Sequence, residues 1–179
     1  MYEELIIAGA GGQGSLFAGD LIAEAHILKG RNVALVPLYG PEKRKGKSMC
    51  SVIVSDEEIG CHVAEHPDVL IAMNQSSLDE FLLLVKPGGL VIGNGISPGK
   101  NSLRTDIEMI QIDADAIAHE LGNNAVANIV MVGAYMRKRK FVEWVQLLEG
   151  LQTLLRKEGK EGVFEVNRKA LERGVSYWG

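Results

Sequence analysis

The sequence predicts an α/β fold in which a Rossmann-like, mostly parallel sheet carries flanking helices and is followed by a helical C-terminal region. Three observations support this prediction. A short apolar run near the start of the chain ends in a glycine-rich turn, and a helical pattern follows it. Further short apolar runs recur as far as Ile112. Beyond that residue only helical patterns occur, so the strands belong to the first two thirds of the chain.

The first elements form a predicted strand–turn–helix–strand unit. Leu5 to Ala8 is an apolar run typical of a strand buried on both faces of a parallel sheet. After the glycines, apolar residues recur at helical spacing at Phe17, Leu21, Ala25 and Leu28. Gly30 supplies a C-cap for this helix. A second strand over Asn32 to Leu38 completes a β-α-β unit, whose crossover is nearly always right-handed.

The rest of the chain alternates between strands and helices before it becomes helical. Further strands are predicted at Met49 to Val54, Asp68 to Met73, Leu90 to Gly93 and Ile107 to Ile112. A helix is expected over Ser76 to Val85. Four more helices are predicted at Asp113 to Leu121, Ala125 to Arg137, Phe141 to Arg156 and Val166 to Arg173. The third of these carries a predicted apolar stripe of Val145, Leu148, Leu151 and Leu155. No repeat or linker divides the chain, so we predict one domain over residues 1–179.

Composition and charge narrow the class of protein. The chain has 179 residues, a formal net charge of −4 and a pI near 5.6, which disfavours binding to nucleic acid. Its apolar residues are spread along the length instead of forming a membrane-spanning segment. Acidic residues follow Met1 where a secretory signal carries basic ones, so we expect a cytoplasmic protein.

The glycine-rich turn is the first candidate binding element. The pattern Gly9-x-Gly11-x-x-Gly14 lies between a predicted strand and a predicted helix, which is the context of a dinucleotide-binding turn. The start of the helix offers free N–H groups to an anion. Gly12 and Gln13 also belong to the turn, and the Gln13 amide is able to bridge to a ligand or to a neighbouring chain. A tight turn that only packs the helix on the sheet is the alternative.

The end of the second strand argues against a nicotinamide nucleotide at this turn. An Asp or Glu that binds the ribose belongs about twenty residues after the last glycine. Here the chain reads Val36-Pro37-Leu38-Tyr39-Gly40, and Glu42 comes late and beyond a proline. The sequence therefore favours another ligand, a partner contact or a purely structural turn.

Four stretches read together resemble the gamma subunit of 2-oxoacid:ferredoxin oxidoreductases. They are GAGGQGSLFAGDLIAEA, PLYGPEKRKGKSMCSVIVSD, DVLIAMNQSSLDEF and PGGLVIGNG, in the order and spacing of that family. The family includes enzymes for pyruvate, 2-oxoglutarate, branched-chain 2-oxoacids and indolepyruvate. The resemblance runs from about Leu5 to Gly95, with weaker agreement through Asn128.

The resemblance implies a role in a larger enzyme. Such an enzyme oxidatively decarboxylates a 2-oxoacid on thiamine diphosphate and Mg, transfers the acyl group to coenzyme A, and passes electrons through iron-sulfur clusters to ferredoxin. The gamma chain is a Rossmann-like domain that assembles with alpha and beta chains, often with a delta chain, and those chains hold the thiamine and the clusters. The resemblance implies that this chain supports the chemistry, holds no cofactor by itself and is inactive alone, and we name no catalytic residue.

The loop after the second strand is interpreted as a partner-facing or active-site-facing element. The family's loop reads close to YGPEMRGG, and this chain keeps its pattern at Tyr39, Gly40, Pro41, Glu42, Arg44 and Gly46. Lys43 and Lys45 depart from it. Asn74 and Gln75 follow another strand end, where they either line the same crevice or cap the next helix.

No metal site and no cluster site is expected on this chain. Two cysteines, Cys50 and Cys61, are too few for an iron-sulfur cluster, which takes about four thiolates. Cys61, His62 and His66 lack a fourth ligand with familiar spacing. Two other interpretations remain open: a coenzyme A-binding role for the glycine turn, and a stand-alone Rossmann-like nucleotide-binding protein. The isolated chain is also a candidate homodimer, because a face normally covered in a complex is then exposed.

Overall fold

The computed structural model describes residues 1–39, 46–96 and 104–177. Its strands are β1 (Tyr2–Ala10), β2 (Asn32–Tyr39), β3 (Lys47–Ser55), β4 (Val69–Ala72), β5 (Leu90–Asn94) and β6 (Glu108–Ile112). Its helices are α1 (Ser15–Leu28), α2 (Gln75–Phe81), α3 (Ala114–Glu120), α4 (Ala127–Arg139), α5 (Trp144–Lys157) and α6 (Phe164–Ser176). The predicted order of elements is confirmed, including the helical end of the chain.

The six strands form one mixed sheet in the order β2-β3-β1-β4-β5-β6. Parallel pairing joins β1 to β4, β4 to β5 and β5 to β6, whereas β3 is antiparallel to both β1 and β2. The simple β-α-β unit expected from β1, α1 and β2 is therefore wrong in one respect, because β3 lies between its two strands. An antiparallel partner needs only a short connection from the end of β2, and a parallel one needs a long crossover.

This topology gives the sheet two distinct edges. At the carboxyl edge β1, β2, β4, β5 and β6 end and β3 begins; the opposite edge is called the amino edge. Ligands of open α/β sheets bind beyond the carboxyl ends of the strands. The predicted site residues after β1 and β4 therefore belong to one edge, at which β2 also ends.

Alternate residues of β1 face two apolar layers. Leu5 and Ile7 are fully buried in the larger core with α1, α4 and α5, and Ile6 and Ala8 are buried in a smaller core with α2. Each completely buried Leu or Ile side chain contributes about 2 kcal/mol of hydrophobic free energy, so β1 is the centre of the fold. Close packing of α1 on the sheet depends on Gly19, where a Cβ atom would lie 2.5 Å from Cys50 Sγ.

Two of the predicted helices differ in detail from the structure. Helix α2 ends at Phe81 and continues only as a single 3₁₀ turn, Leu82–Leu84, so the prediction of a helix to Val85 is wrong at its end. The apolar stripe of α5 is wrong at Val145, which is 51% exposed, while Leu147, Leu151 and Leu155 are buried. Gly150 lies on the buried side of α5 and packs against Ala25 of α1.

A buried charged cluster joins the start of β1 to the second half of α4. Glu3 of β1 is 3% exposed, accepts a 2.7 Å hydrogen bond from the Tyr135 hydroxyl and pairs with Arg139 at 2.7 Å. Burial raises the pKa of the Glu3 carboxyl.

Within the described ranges no helix is long and apolar enough to span a bilayer.

Candidate functional site

The candidate site lies at the carboxyl edge of the sheet, where three neighbouring strands end. Ala8 of β1 pairs with Ala72 of β4, and Ala72 pairs with Gly93 of β5. The residues that follow these positions are the glycine turn, the Met73-Asn74 pair and Asn94. The structure thus brings together segments that are far apart in the chain.

Gln13 closes the space between the ends of β1 and β4. Its side-chain oxygen accepts hydrogen bonds from the Ala10 amide at 2.7 Å and from Asn74 Nδ2 at 2.6 Å. Its Nε2 atom donates to the Met73 carbonyl at 3.1 Å. Both ends of the Gln13 amide are therefore used within the chain, and the side chain holds the turn against β4.

The glycines of the turn differ in what they permit. Gly9 is the penultimate residue of β1, and a Cβ there would lie 3.0 Å from the Gln13 oxygen. Gly14, which precedes α1, has φ +77°, and a Cβ would collide with the Asn128 amide. Gly12 has φ +96° and faces open space. Of these three glycines, Gly12 is the one that a ligand or partner is able to approach closely at the backbone.

Helix α1 starts at the turn without a side-chain cap. Asn128 of α4 instead donates from Nδ2 to the Gly14 carbonyl at 3.0 Å and accepts a hydrogen bond from the Ile129 amide. Gly14 therefore packs against α4, and the close approach of α1 to the sheet comes from Gly19 instead.

The loop after β2 ends beside the glycine turn. The Gly11 amide donates to the Gly46 carbonyl at 2.9 Å, and Ala10 pairs with Lys47 of β3. Ser15 at the start of α1 bonds Ser48 through their hydroxyls at 2.9 Å. Of the predicted loop residues, Gly40, Pro41, Glu42 and Arg44 lie outside the described residues, and so do Lys43 and Lys45; Tyr39 is described only as the last residue of β2.

Asn74 and Gln75 separate in the structure. Asn74 caps α2 by accepting from the Ser77 amide at 2.9 Å, and it also donates to Gln13. The capping interpretation is therefore confirmed, whereas Asn74 is not among the residues that line the two cavities described below. Gln75 is exposed and bonds Asp79 at 2.8 Å, one turn along α2, and it does not line the cavities at this edge.

A cavity of about 120 Å³ opens next to Gln13. Its lining residues are Gly12, Gln13, Met73, Asn94, Asp115, Asn124, Ala125, Ala127, Asn128 and Met131. Asn94 is 7% exposed, and its side-chain oxygen accepts from the Ala114 and Asp115 amides at 2.9 and 3.2 Å. Asp115 is the charged group of this lining among the described residues, so the cavity suits a neutral polar group better than an anion.

A second cavity of about 350 Å³ adjoins the first, and the two share Gly12, Ala125 and Asn128. Phe17 of α1 and Lys160 border it, and Lys160 is paired with Glu158 at 2.7 Å. Glu158 lines the same cavity and offsets the charge of Lys160, so the uncapped start of α1 is the feature that favours a negative group there.

Sequence reasoning missed Asn94, Asn128 and Lys160. Asn94 stands directly after the apolar core of β5, so its position at a strand end was a usable signal. Asn128 and Lys160 come from the helical tail and gave none, because they reach the site only through the packing of α4 and of the end of α5.

The described residues contribute no evident nucleophile or metal centre to this edge. They contain no cluster of three or more His, Cys, Asp or Glu side chains able to hold a metal ion. Burial, followed by the nearby Asp20 carboxylate, raises the pKa of the Cys50 thiol to about 12, so Cys50 stays protonated at neutral pH.

Comparison with known proteins bears on the whole chain. Residues 4–177 match the family model described as pyruvate ferredoxin/flavodoxin oxidoreductase. The ketoisovalerate oxidoreductase subunit VorA of Methanothermobacter marburgensis is 35% identical over 178 residues, which cover 96% of this chain. The chain spans 35% of the length of that relative.

Solved structures give the same fold. The gamma subunit of a keto/oxoacid ferredoxin oxidoreductase from Geobacter sulfurreducens is 28% identical with a TM-score of 0.79, covering 97% of this chain and 96% of its own. The 2-oxoglutarate:ferredoxin oxidoreductase from Magnetococcus marinus, solved with 2-oxoglutarate, coenzyme A and succinyl-CoA bound, is 25% identical with a TM-score of 0.85. That match covers 97% of this chain and 30% of the larger one.

Proposed function

This chain belongs to the pyruvate ferredoxin/flavodoxin oxidoreductase family, and from that premise we propose that it is the gamma-type subunit of a multi-subunit 2-oxoacid:ferredoxin oxidoreductase. The assembled enzyme oxidatively decarboxylates a 2-oxoacid to an acyl-CoA and passes the electrons to ferredoxin. The gamma-type chain forms one domain that supports assembly and the active site, and the chemistry belongs to other subunits.

The observation that carries this proposal is the closure of the glycine turn by Gln13. A nicotinamide dinucleotide would approach the turn between the ends of β1 and β4, and Gln13 spans this space with bonds to Ala10, Asn74 and Met73. Together with the missing ribose carboxylate after β2, this favours a Rossmann-like domain kept for its architecture over a dehydrogenase.

The remaining parts of the enzyme follow from the same proposal. Alpha and beta chains, and a delta chain where present, hold the thiamine diphosphate, Mg and the iron-sulfur clusters, and ferredoxin docks on the assembly. Tyr39, Gly40, Pro41, Glu42 and Arg44 form the loop that faces a partner or the active site. Its attachment beside the glycine turn, through the Gly11 to Gly46 bond, supports this role.

Reconstitution tests the proposal. The chain is expressed with alpha and beta chains of the same family, and coenzyme A-dependent reduction of a viologen dye is measured with pyruvate, 2-oxoglutarate and 2-oxoisovalerate. We expect activity with at least one 2-oxoacid from the assembly, none from the chain alone, and much less from the assembly without it. Activity of the purified chain alone, or full activity without it, contradicts the proposal.

A second candidate is that the 350 Å³ cavity receives the phosphate-bearing end of coenzyme A. Its uncapped helix start favours a negative group there, and Gly12 allows close approach. Calorimetry with coenzyme A, thiamine diphosphate, NAD and NADP, on the chain and on the assembly, separates the alternatives. Tight NAD binding by the isolated chain would instead support a stand-alone nucleotide-binding protein, and no heat with any ligand leaves the turn a packing element.

A further inference from the structure

Four of the exposed large apolar side chains lie together at the amino edge, opposite the candidate site. They belong to the end of α1 and the start of α5 and are, with their exposed fractions, Ile27 53%, Leu28 42%, Trp144 39% and Val145 51%. Arg31 Nη1 donates to the Phe141 carbonyl at 2.8 Å, which holds the segment before α5 against the segment after α1. The two helix ends therefore contribute to one surface, and contiguous apolar surface of this kind marks an interaction site.

An apolar groove of about 220 Å³ opens beside Trp144. Its walls come from α4, α5, α6 and the segment before α5, and are formed by Met136, Val142, Leu147 and Val175. Arg137 and Lys140 stand on its rim, together with the carboxylate of Glu143. Tryptophan and arginine are enriched among the residues that dominate binding energy at protein interfaces, so the composition of the groove suits a protein partner.

The two rim cations differ from the basic residues next to them. Lys138 pairs with Glu108, and Arg139 pairs with the buried Glu3. Arg137 and Lys140 make no ion pair with any residue of the described ranges. Lys140 has φ +53° and its amide caps α4 at the Met136 carbonyl, which fixes the direction of its backbone.

An acidic turn lies on the same side of the molecule. Asp56, Glu57 and Glu58 follow β3, and the three are exposed. The Arg31 guanidinium that bonds the Phe141 carbonyl also bonds Asp56 at 2.9 Å, so one side chain links this turn to the segment that enters the groove. Among the described residues Glu57 and Glu58 form no ion pair.

We propose that this amino-edge face binds a second copy of the chain in a twofold-symmetric dimer. Glu57 and Glu58 of one protomer meet Arg137 and Lys140 of its partner, and the apolar ends of α1 and α5 cover each other. A twofold contact needs a surface that carries both a patch and its complement. This surface carries unpaired cations, unpaired carboxylates and apolar side chains together, whereas the chain as a whole has a net charge of −4.

The dimer is tested on the free chain, so its outcome is independent of the oxidoreductase assignment. Sedimentation equilibrium gives the dissociation constant of the wild type and of two charge reversals, R137E/K140E and E57K/E58K. We expect each reversal to raise the dissociation constant at least tenfold, because each homodimer then places like charges opposite each other twice. The control R156E/K169E changes two exposed cations away from this face, Arg156 lying about 18 Å along α5 from Trp144, and leaves the constant within twofold.

Mixing the two reversal variants decides the question. In the mixed dimer each altered patch faces an opposite charge, so the heterodimer returns to within about threefold of the wild-type constant. Circular dichroism confirms that each variant is folded. A monomeric wild type at millimolar concentration, a dimer insensitive to both reversals, or a mixture that stays monomeric overturns the proposal.

Discussion

Replacing Gln13 by Ala removes the side chain that joins the glycine turn to β4. Three hydrogen bonds are lost, to the Ala10 amide, Asn74 Nδ2 and the Met73 carbonyl. At about 1 kcal/mol each they contribute about 3 kcal/mol. Freeing the side chain from its fixed rotamer offsets about 1 kcal/mol of this. We therefore expect Gln13→Ala to lower the free energy of unfolding by about 2 kcal/mol.

Gln75→Ala is the matched control, since it removes the same side chain from an exposed position in α2. Gln75 makes one exposed bond to Asp79 within α2, worth about 0.2–0.5 kcal/mol. Urea unfolding followed by circular dichroism gives both values, and equal slopes show that the two variants unfold from comparable states. For a chain of this size the Gln13 variant should melt about 4–8 °C lower than the wild type.

The refuting result is a loss below about 0.5 kcal/mol for Gln13→Ala, no larger than for Gln75→Ala. It would mean that water replaces the amide at no cost and that the turn is held by its glycines alone. In the reconstituted enzyme, lower activity of a folded and assembled Gln13 variant points to a functional contact of the turn. Unchanged activity leaves Gln13 a packing residue.

Three further predictions concern stability. Gly14→Ala should lower the free energy of unfolding by about 3 kcal/mol, because Gly14 has φ +77° and Asn128 fills the space beside it. Gly12→Ala should lower it by about 1 kcal/mol, because Gly12 has φ +96° but faces open space. Urea unfolding measures both. Asn94→Ala should cost about 1–2 kcal/mol in urea unfolding through the two lost hydrogen bonds from the Ala114 and Asp115 amides at the start of α3, and Asn94→Asp should recover most of it; equal losses would contradict this role. Burial, and then the charge of Arg31, lower the pKa of His26 to about 4. The unfolded chain, in which the His26 pKa is 6.5, therefore binds the proton more readily than the folded chain. The stability present above pH 6.5 is lost as the pH falls toward 4, by on the order of 3 kcal/mol. His26→Gln should flatten that profile in a pH series of unfolding curves.

Much of the fold was accessible from the sequence because its signals are local. The apolar runs of β1, β4 and β5, the glycines after β1 and the helical spacing of the tail are read over a few residues each. The absence of a carboxylate after β2 is equally local, and it separated this chain from nicotinamide enzymes before any contact was known. The resemblance of four stretches to one family pointed to the family that the whole chain matches.

Local signals failed where the outcome depends on a distant partner. The residues of β2 and β3 form strands whichever strands they pair with, so their pattern does not show that β3 lies between β1 and β2. The stripe of α5 was wrong only at Val145, which is exposed, while Leu148, Leu151 and Leu155 face the core; Gly150 packs against Ala25 of α1, which is far away in the sequence.

The sequence by itself determined the order of the elements, the turn at the end of β1 and the lack of a nucleotide-binding carboxylate. Only the tertiary structure decided which residues hold the turn in place. Gln13 meets the Met73 carbonyl 60 residues away, and Asn128 reaches Gly14 across 114 residues. Periodicity and spacing describe which face of an element is apolar, whereas hydrogen-bond partners at a sheet edge depend on which strands end side by side.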